Sequence, residues 1–322
     1  MKYRKYFLLL IIFINCSNSS QHIESNFSLP FEKIERVSEN PILSPRRLSW
    51  ESKDVFNPTS IEVDGKIALL YRAEDSTGIG IWNGTSRIGL AWSEDGIHFK
   101  REEKPVLEPS EPYELPGGCE DPRVVKIEDT FYLTYTAYDG KIARLCLASS
   151  KDLYNWTKHG PLFPELGWTK AGVIVPQKIN GKYYLYFGEY GAWLASSPDL
   201  INWKLVQDDH VLPKRPNMFD SEITECGPTP IITDQGILVI YNGAERTEKG
   251  RIYRTGFAYF SKQDPRKLLY RCSTPFFHPQ EISEKTGQVA NVVFVEGLTY
   301  FKGKWFMYYG MADSHIGVAV SQ

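Results

Sequence analysis

The sequence predicts an all-β fold, a five-bladed β-propeller that forms a single domain. The first observation is a phrase in which an apolar strand runs into small and acidic residues, and it recurs after 52 to 68 residues. The second is that strand-like segments flank the copies, as expected of a repeated supersecondary unit. Radial repetition closes such units into a ring and leaves only short strand edges. The five copies centre on Tyr71, Tyr135, Phe187, Tyr241 and Tyr309.

Each predicted unit contains four strands. In four units the first strand begins at a proline, and the second ends at the aromatic anchor 11 to 13 residues later. A glycine-containing turn separates these two strands, because glycine tolerates the positive φ that tight hairpins need. The third strand ends in small residues, and the fourth carries an aromatic side chain after an acidic turn, as in residues 151–156 and 198–203. The starting prolines are Pro58, Pro122, Pro176 and Pro228.

The composition indicates a core-forming chain without a surface for nucleic acid. Of 322 residues, 42% are hydrophobic and 24% are charged, which suits a folded domain. The net charge is −2 and the pI is near 6.3, so there is no basic stripe for a polyanion, and no nucleic-acid partner is predicted. The cysteines and histidines lack metal-ligand spacing, so neither a metal nor a cofactor is predicted. Four cysteines in or beside strands are expected to be buried free thiols.

The first 16 residues predict a secretory signal. A positive region precedes an apolar stretch that is too short to span a bilayer as a mature helix. Cys16 ends that stretch, which predicts a bacterial lipoprotein signal with Cys16 lipidated, a tether and N-terminal extension over residues 17–40, and the propeller over 41–322. The protein is then exported, as a periplasmic or outer-membrane-anchored lipoprotein that meets the membrane only through its lipid. An ordinary signal peptide with a stray cysteine is the alternative.

Polar residues at the starts of the innermost strands are the candidates for a functional site. In a propeller these strand starts surround a central channel, so their side chains converge. They are Asn57, Glu120 with Asp121, Glu225 and Asn291. Two carboxylates facing one pocket are what glycoside cleavage needs, since one protonates the leaving oxygen and the other activates water or attacks. Turn capping by acidic residues before proline is the structural alternative.

Seven phrases in the same order resemble glycoside hydrolase family 130, over residue 41 to the C-terminus. That family comprises β-mannoside phosphorylases and β-mannosidases on a five-bladed propeller. The resemblance implies that Asp121 is the proton donor to the glycosidic oxygen, through a sugar hydroxyl. The phrases cover residues 55–58, 71–73, 86–91, 120–123, 134–139, 291–294 and 308–313.

The resemblance also implies which residues line the mannose and phosphate region. Bidentate amide, carboxylate and guanidinium groups are well suited to hold sugar hydroxyls. For the arginines a strand-edge ion pair is the alternative, and for Asp313 a turn role is equally conceivable. The implied residues are Asn57, Arg72, Arg87 and Asp313, and the further predicted substrate-binding residues are Glu120, Arg123, Tyr138, Asp139, Lys170 and Asn291.

Departures from the family pattern favour hydrolysis over phosphorolysis. Phosphorolysis needs several basic groups around a dianion. The family's phosphorylases have a basic residue where this chain has Glu189, and a histidine where it has Asn242. Residues 219–228 resemble the hydrolytic members, so Glu225 is the predicted base, with Glu245 and Glu189 as alternatives. The prediction is an inverting β-mannosidase, β-1,2-specific by its likeness to those members.

Two other functions remain open at this point. A β-mannoside phosphorylase would release mannose 1-phosphate, with inorganic phosphate as a co-substrate. A non-catalytic carbohydrate-binding lipoprotein would use the same pocket without a working acid and base. The indole rings of Trp168 and Trp193 are candidates for stacking on the leaving-group sugar, although core packing explains them equally well.

Overall fold

The computed structural model describes residues 27–47, 50–77, 83–248 and 250–322. The predicted signal sequence and the predicted lipidation at Cys16 lie outside these residues. Within them, no helix combines the length and apolar character needed to cross a membrane. Strands dominate, which confirms the all-β prediction; the helical segments are two short 3₁₀ turns and α1 (Ile282–Lys285).

The strands follow one another as antiparallel meanders. The first meander consists of β2 (Asp54–Val63), β3 (Lys66–Glu74), β4 (Ser86–Ser93) and β5 (Lys100–Arg101). The second consists of β6 (Gly118–Ile127), β7 (Thr130–Tyr138), β8 (Ala143–Ser150) and β9 (Trp156–Pro161). The third is β10 (Val173–Ile174), β11 (Tyr183–Phe187), β12 (Gly191–Ser197) and β13 (Lys204–Leu205), with β14 (Leu212–Pro213) also on β12. The fourth is β15 (Ile223–Cys226), β16 (Ile231–Thr233), β17 (Gly236–Thr247), β18 (Gly250–Phe260) and β19 (Leu268–Arg271), and the last is β20 (Val293–Phe301), β21 (Lys304–Met311) and β22 (His315–Ser321).

Pairing joins these meanders into four sheets. A single parallel bridge between Ser86 and Gly118 links the first two meanders into one eight-stranded sheet. The last sheet gains its fourth strand from the N-terminal part of the chain, because β1 (Ile34–Arg36) pairs with β22. The domain boundary predicted at residue 41 therefore differs from the structure, in which the fold already includes these three residues.

The aromatic anchors have a second, shared role that the sequence pattern did not reveal. In four meanders the tyrosine hydroxyl donates a hydrogen bond to a fully buried carboxylate that also contacts a cation. In the third meander Tyr186, rather than the predicted Phe187, holds this place and donates to the Pro265 carbonyl at 2.8 Å. The four pairs are Tyr71 with Glu51, Tyr135 with Glu114, Tyr241 with Asp220 and Tyr309 with Glu284.

In three meanders the first strand contains a β-bulge near the predicted site residues. The register shifts lie at Asn57 in β2, between Glu120 and Arg123 in β6, and at Glu296 in β20. Asn57 and Asp121 have positive φ values of 49° and 48°, a conformation that non-glycine residues adopt at a cost. Bulges of this kind turn a side chain away from its place in the strand alternation.

The core fills the space between neighbouring sheets. Separate clusters of buried apolar side chains lie between them, and the four cysteines of the described residues are buried in or against these clusters as free thiols. This confirms their predicted state. Trp193 also belongs to a core cluster and packs edge-on against His210 at 4.3 Å between ring centroids.

Candidate active site

A cavity of about 290 Å³ lies where residues of several meanders meet. Among the predicted site residues, Arg72, Glu120, Tyr138, Lys170 and Asp313 line it, and so does the alternative base Glu189. Its remaining lining residues are Ala143, Trp168, Arg251, Tyr253, Gln288 and Val289.

Asp121 is held in place by three side chains. Its Oδ1 atom accepts hydrogen bonds from Asn57 Nδ2 at 2.6 Å and from Arg72 Nη1 at 3.0 Å, and its Oδ2 atom lies 3.1 Å from Lys170 Nζ. Burial disfavours the charged form, but Lys170 and Arg72 outweigh it and hold the pKa of Asp121 well below its usual range. Asp121 is therefore ionised and held in a fixed orientation. It is not itself among the lining residues, but it contacts Arg72 and Lys170, which line the cavity.

Glu225 shares Lys170 with Asp121. Its Oε1 atom lies 3.5 Å from Lys170 Nζ, and within the described residues this atom accepts no hydrogen bond. Burial raises the pKa of Glu225 to about 7, against the opposing pull of Lys170. A buried carboxyl group with a free oxygen and a pKa near neutrality has the properties of a general base. The predicted acid, Asp121, and the predicted base, Glu225, thus both lie beside the ammonium group of Lys170.

Glu120 is bound to the same guanidinium as Asp121. Arg72 Nη2 donates to Glu120 Oε1 at 3.1 Å and to Glu74 Oε1 at 2.5 Å, and the Arg72 guanidinium stacks on Phe56 at 4.6 Å. Burial raises the pKa of Glu120 to about 7, and Asp121 adds to this. Because the two neighbouring carboxyls interact, they titrate as a pair, in which Glu120 is the member that can hold a proton at neutral pH.

Asp313 contributes a further carboxyl group to the cavity. It follows strand β21 with a positive φ of 52°, and burial raises its pKa to about 7.

Tyr138 and Trp168 form one wall of the cavity and contact each other edge to face, with 6.4 Å between ring centroids. Trp168 is 44% exposed, and its indole Nε1 donates to Glu189 Oε2 at 2.6 Å. The wall therefore presents an accessible aromatic surface beside a carboxylate.

Several predicted site residues have other partners. Arg87 donates to Asp75 at 2.7 Å, and Asp139 accepts two backbone N–H groups and Arg144 in a turn. Glu245 contacts Arg254. None of these three lines the cavity, so their predicted roles find no support in the geometry.

Arg123 and Asn291 also differ from their predicted roles. Arg123 is only 2% exposed and donates to the carbonyl groups of Asp121, Cys226 and Gly227, so its donors serve the backbone and not a sugar. Asn291 precedes β20, but the bulge equivalent to Asn57 is at Glu296. The residue at the start of this strand is therefore not the equivalent of Asn57, because the bulge lies five residues further along the chain.

Asn242 does not face the cavity either. Its amide pairs with the backbone of Val295 in both directions, at 2.9 Å each. Its lack of charge is therefore no evidence against phosphate binding, and that part of the sequence argument is wrong. The other part stands, since Glu189 does line the cavity. His315 lies against Ser44 at 3.1 Å, outside the cavity lining.

Sequence reasoning missed Arg251, Tyr253, Gln288, Val289 and the buried Glu296. A charged residue inside the apolar run 292–298 was the available signal for Glu296, since unpaired acids are rarely fully buried. The others come from a hairpin and a loop whose approach to the cavity no local pattern encodes. In the described parts of the chain, no group of three or more metal-ligating side chains could hold a metal ion.

The family of the chain follows from its sequence match. A family model described as Glyco_hydro_130, beta-1,4-mannooligosaccharide phosphorylase, matches residues 32–322. The chain belongs to glycoside hydrolase family 130. Members of this family act on glycosidic bonds, and the protein is therefore an enzyme of this class. The match begins before β1, in agreement with the inclusion of that strand in the fold.

Some individual relatives are named as phosphorylases and others as glycoside hydrolases. A 1,2-beta-oligomannan phosphorylase of Thermoanaerobacter sp. (strain X514) is 37% identical, over 89% of this chain and 97% of its own. A structure of a glycosyl hydrolase from Bacteroides ovatus is 39% identical with a TM-score of 0.86, over 91% of this chain and 95% of that one. A third has 40% identity, the same TM-score and the same coverage; it was reported with the finding that the GH130 family of mannoside phosphorylases contains glycoside hydrolases that target beta-1,2 mannosidic linkages in Candida mannan.

Proposed function

We propose that the protein cleaves β-mannosidic linkages of mannooligosaccharides or glycans with water as the acceptor, as an inverting, β-1,2-mannosidase-like hydrolase. The observation that carries the proposal is the pair Asp121 and Glu225, both in contact with Lys170 at one cavity. Glycoside hydrolysis by inversion uses two such carboxyl groups, one on each side of the scissile bond.

The two carboxyl groups have different tasks. Glu225 takes a proton from the water molecule that attacks the anomeric carbon, and its pKa of about 7 leaves it partly ionised at neutral pH. The leaving oxygen receives a proton from Asp121 through a sugar hydroxyl. Because the cations hold Asp121 ionised, the proton that Asp121 passes to the sugar hydroxyl first comes from Glu120, whose pKa is raised to about 7, and the transfer leaves Glu120 ionised.

The charge of the cavity supports water as the acceptor. Its lining contains three cations, Arg72, Lys170 and Arg251. Arg72 and Lys170 are paired with the carboxylates described above, and Arg251 Nε donates to Glu222 at 2.7 Å. A phosphate dianion would have to displace these carboxylates and would also face Glu189 and Asp313.

Phosphorolysis is the second candidate, and the names of the curated relatives favour it over hydrolysis. Relatives in Thermoanaerobacter, Listeria innocua and Ruminococcus albus are named phosphorylases of β-1,2- or β-1,4-linked mannosides. The same Asp121 and the same cavity would serve, with phosphate in place of the water that Glu225 activates.

The deciding experiment is cleavage of β-1,2- and β-1,4-mannobiose with and without inorganic phosphate, with the products separated by anion-exchange chromatography. Hydrolysis gives mannose at the same rate in both conditions. Mannose 1-phosphate that forms only with phosphate would overturn the hydrolase proposal and establish the phosphorylase. Binding of both disaccharides without cleavage would favour a non-catalytic carbohydrate-binding protein.

Two structural proposals accompany this function. The meanders close as a five-bladed propeller, supported by contacts of β2 with β20 and β21 between the first and last units. The chain is an exported lipoprotein anchored through Cys16, on the strength of its N-terminal sequence. Cys16→Ala should release the protein from the membrane fraction; an unchanged distribution would reject the anchor.

A further inference from the structure

Glu296 is a fully buried acid that the cleavage scheme does not use. It occupies the bulge of β20, with 0% of its surface exposed. Arg123 Nη2 lies 2.8 Å from its Oε1 atom, yet within the described residues neither carboxylate oxygen accepts a hydrogen bond of suitable direction. Burial raises the pKa of Glu296 well above its usual range. A buried acid in this state destabilises the fold, so its presence requires an explanation.

Its partner Arg123 connects the strands of the two catalytic carboxyls. Arg123 Nη1 donates to the carbonyl of Asp121 at 3.0 Å, and Nη2 donates to the carbonyl of Cys226, the residue after Glu225, at 2.9 Å. Its Nε also lies 3.1 Å from the Gly227 carbonyl. One rigid guanidinium therefore joins β6, which carries the acid, to the end of β15, which carries the base.

Glu296 is itself fixed from the neighbouring sheet. The backbone of Val295, the preceding residue, is bound in both directions by the Asn242 amide. Gly227 allows the close approach of these strands, because a Cβ atom there would lie 2.7 Å from the Val295 carbonyl oxygen. The position of Glu296 is therefore set by its own strand, β20, and by Asn242 in β17, the strand that pairs with β15.

We propose that Glu296 is a positioning residue for the cleavage reaction. Its ion pair with Arg123 Nη2 restrains the guanidinium at the Asp121 and Cys226 carbonyls, and so contributes to the placement of Asp121 relative to Glu225. This inference rests on the proposed function, in which both carboxyl groups act on one substrate. It gives a role to a fully buried acid that is poorly hydrogen-bonded.

The test compares Glu296→Gln with Glu114→Gln. Both acids are fully buried beside a cation, but Glu114 accepts hydrogen bonds from Tyr135, Lys158 and two backbone N–H groups, away from the cavity. Glu296→Gln should lower kcat by about tenfold or more with little change in KM, because small displacements of catalytic groups are costly. Glu114→Gln should lower the melting temperature and leave kcat of the folded enzyme unchanged.

A crystal structure of Glu296→Gln supplies a readout that does not depend on the substrate. It should show a reoriented Arg123 and a changed separation between Asp121 and Glu225. Wild-type kcat with unmoved carboxyls would overturn the proposal, and so would a kcat loss no larger than in Glu114→Gln. If Glu296→Gln does not fold, Glu296→Asp decides: reduced kcat at wild-type melting temperature supports the role, and wild-type kcat rejects it. A wild-type protein that cleaves no mannoside would reject the proposed function alone, since the structural readout remains.

Discussion

Two sets of buried carboxylates in this enzyme have the same chemistry and opposite surroundings. In the first set, which we call the tyrosine-bound carboxylates, each member accepts a hydrogen bond from a tyrosine hydroxyl and contacts at least one cation. These are Glu51, Glu114, Asp220 and Glu284. The inner-strand carboxylates, Asp121, Glu225 and Glu296, lie in the first strands of their meanders and contact cations. Asp121 also accepts hydrogen bonds from Asn57 and Arg72, whereas within the described residues Glu225 Oε1 and both Glu296 oxygens accept none. All seven are almost inaccessible to solvent.

The difference shows that hydrogen bonding, not burial, decides what a buried acid does. Burial disfavours the charge of Glu114 and Glu284, but Lys158 in the one case and Arg36 in the other, with backbone N–H groups, lower their pKa below the usual value. Glu225 lacks such donors, and burial raises its pKa to about 7. The first set therefore holds the fold, whereas Glu225 in the second set is available for proton transfer. Asp121 in the second set is ionised, because Lys170 and Arg72 lower its pKa.

Replacement of Asp121 should have the largest effect on catalysis. Asp121→Asn keeps the shape that Asn57 and Arg72 bind but cannot transfer a proton. We expect kcat to fall by about 10²- to 10⁴-fold, with disaccharide binding measured by calorimetry preserved. Near-normal turnover would show that Asp121 takes no part in the mechanism, and the assignment of a catalytic function to the inner-strand carboxylates would then be contradicted.

Replacement of a tyrosine-bound carboxylate should affect stability instead. In Glu114→Gln, Lys158 loses its charged partner and two backbone N–H groups lose a carboxylate acceptor. We expect the free energy of unfolding in urea to fall by about 3 kcal/mol, with kcat unchanged. A stable variant with reduced kcat would show that the two sets are not separate in function.

The pH dependence of stability sharpens the comparison with a smaller effect. The pKa of Glu225 is raised from 4.5 to about 7 on folding, so its contribution to stability is present below the unfolded value and is lost as the pH rises through about 7. Glu225→Gln removes this loss. The free energy of unfolding of Glu225→Gln minus that of wild type should therefore be about 1 to 3 kcal/mol larger at pH 8 than at pH 5. Equal differences at both pH values in urea titrations would contradict the raised pKa.

The all-β repeat could be predicted from the sequence because it depends on local patterns, whereas the catalytic roles of Asp121 and Glu225 depended on the family resemblance and stay predictions. Strand alternation and turn glycines are encoded within each unit, and Asp121 and Glu225 each lie within the first strand of a unit. The tyrosine-bound carboxylates precede their tyrosines by 20, 21, 21 and 25 residues, so the repeat did contain a signal for them. That spacing alone does not indicate that the two side chains meet, because the carboxylates lie outside the strands on which the prediction of the repeat was based.

Glu296 shows a second limit of sequence reasoning. Asn291 has the residue type that the pattern favoured, whereas a bulge five residues later determines which side chain takes the inner position. The contacts of Arg123 with the Cys226 carbonyl join residues 103 positions apart. Such pairings depend on how the sheets approach one another, and a single sequence contains no local signal for them.

The central claim is that Glu225 is the base, and the pH dependence of kcat/KM tests it most directly. The charged groups around Glu225 are Lys170, Glu189, Arg123 and Asp121, and its pKa is about 7. For wild-type enzyme on the mannobiose it cleaves, kcat/KM should fall as the pH drops below about 7, since protonated Glu225 accepts no proton from water. Glu225→Gln should lower kcat/KM by about 10²- to 10⁴-fold and abolish this limb. Near-wild-type kcat/KM in Glu225→Gln, with the limb at the same pH, would contradict the account.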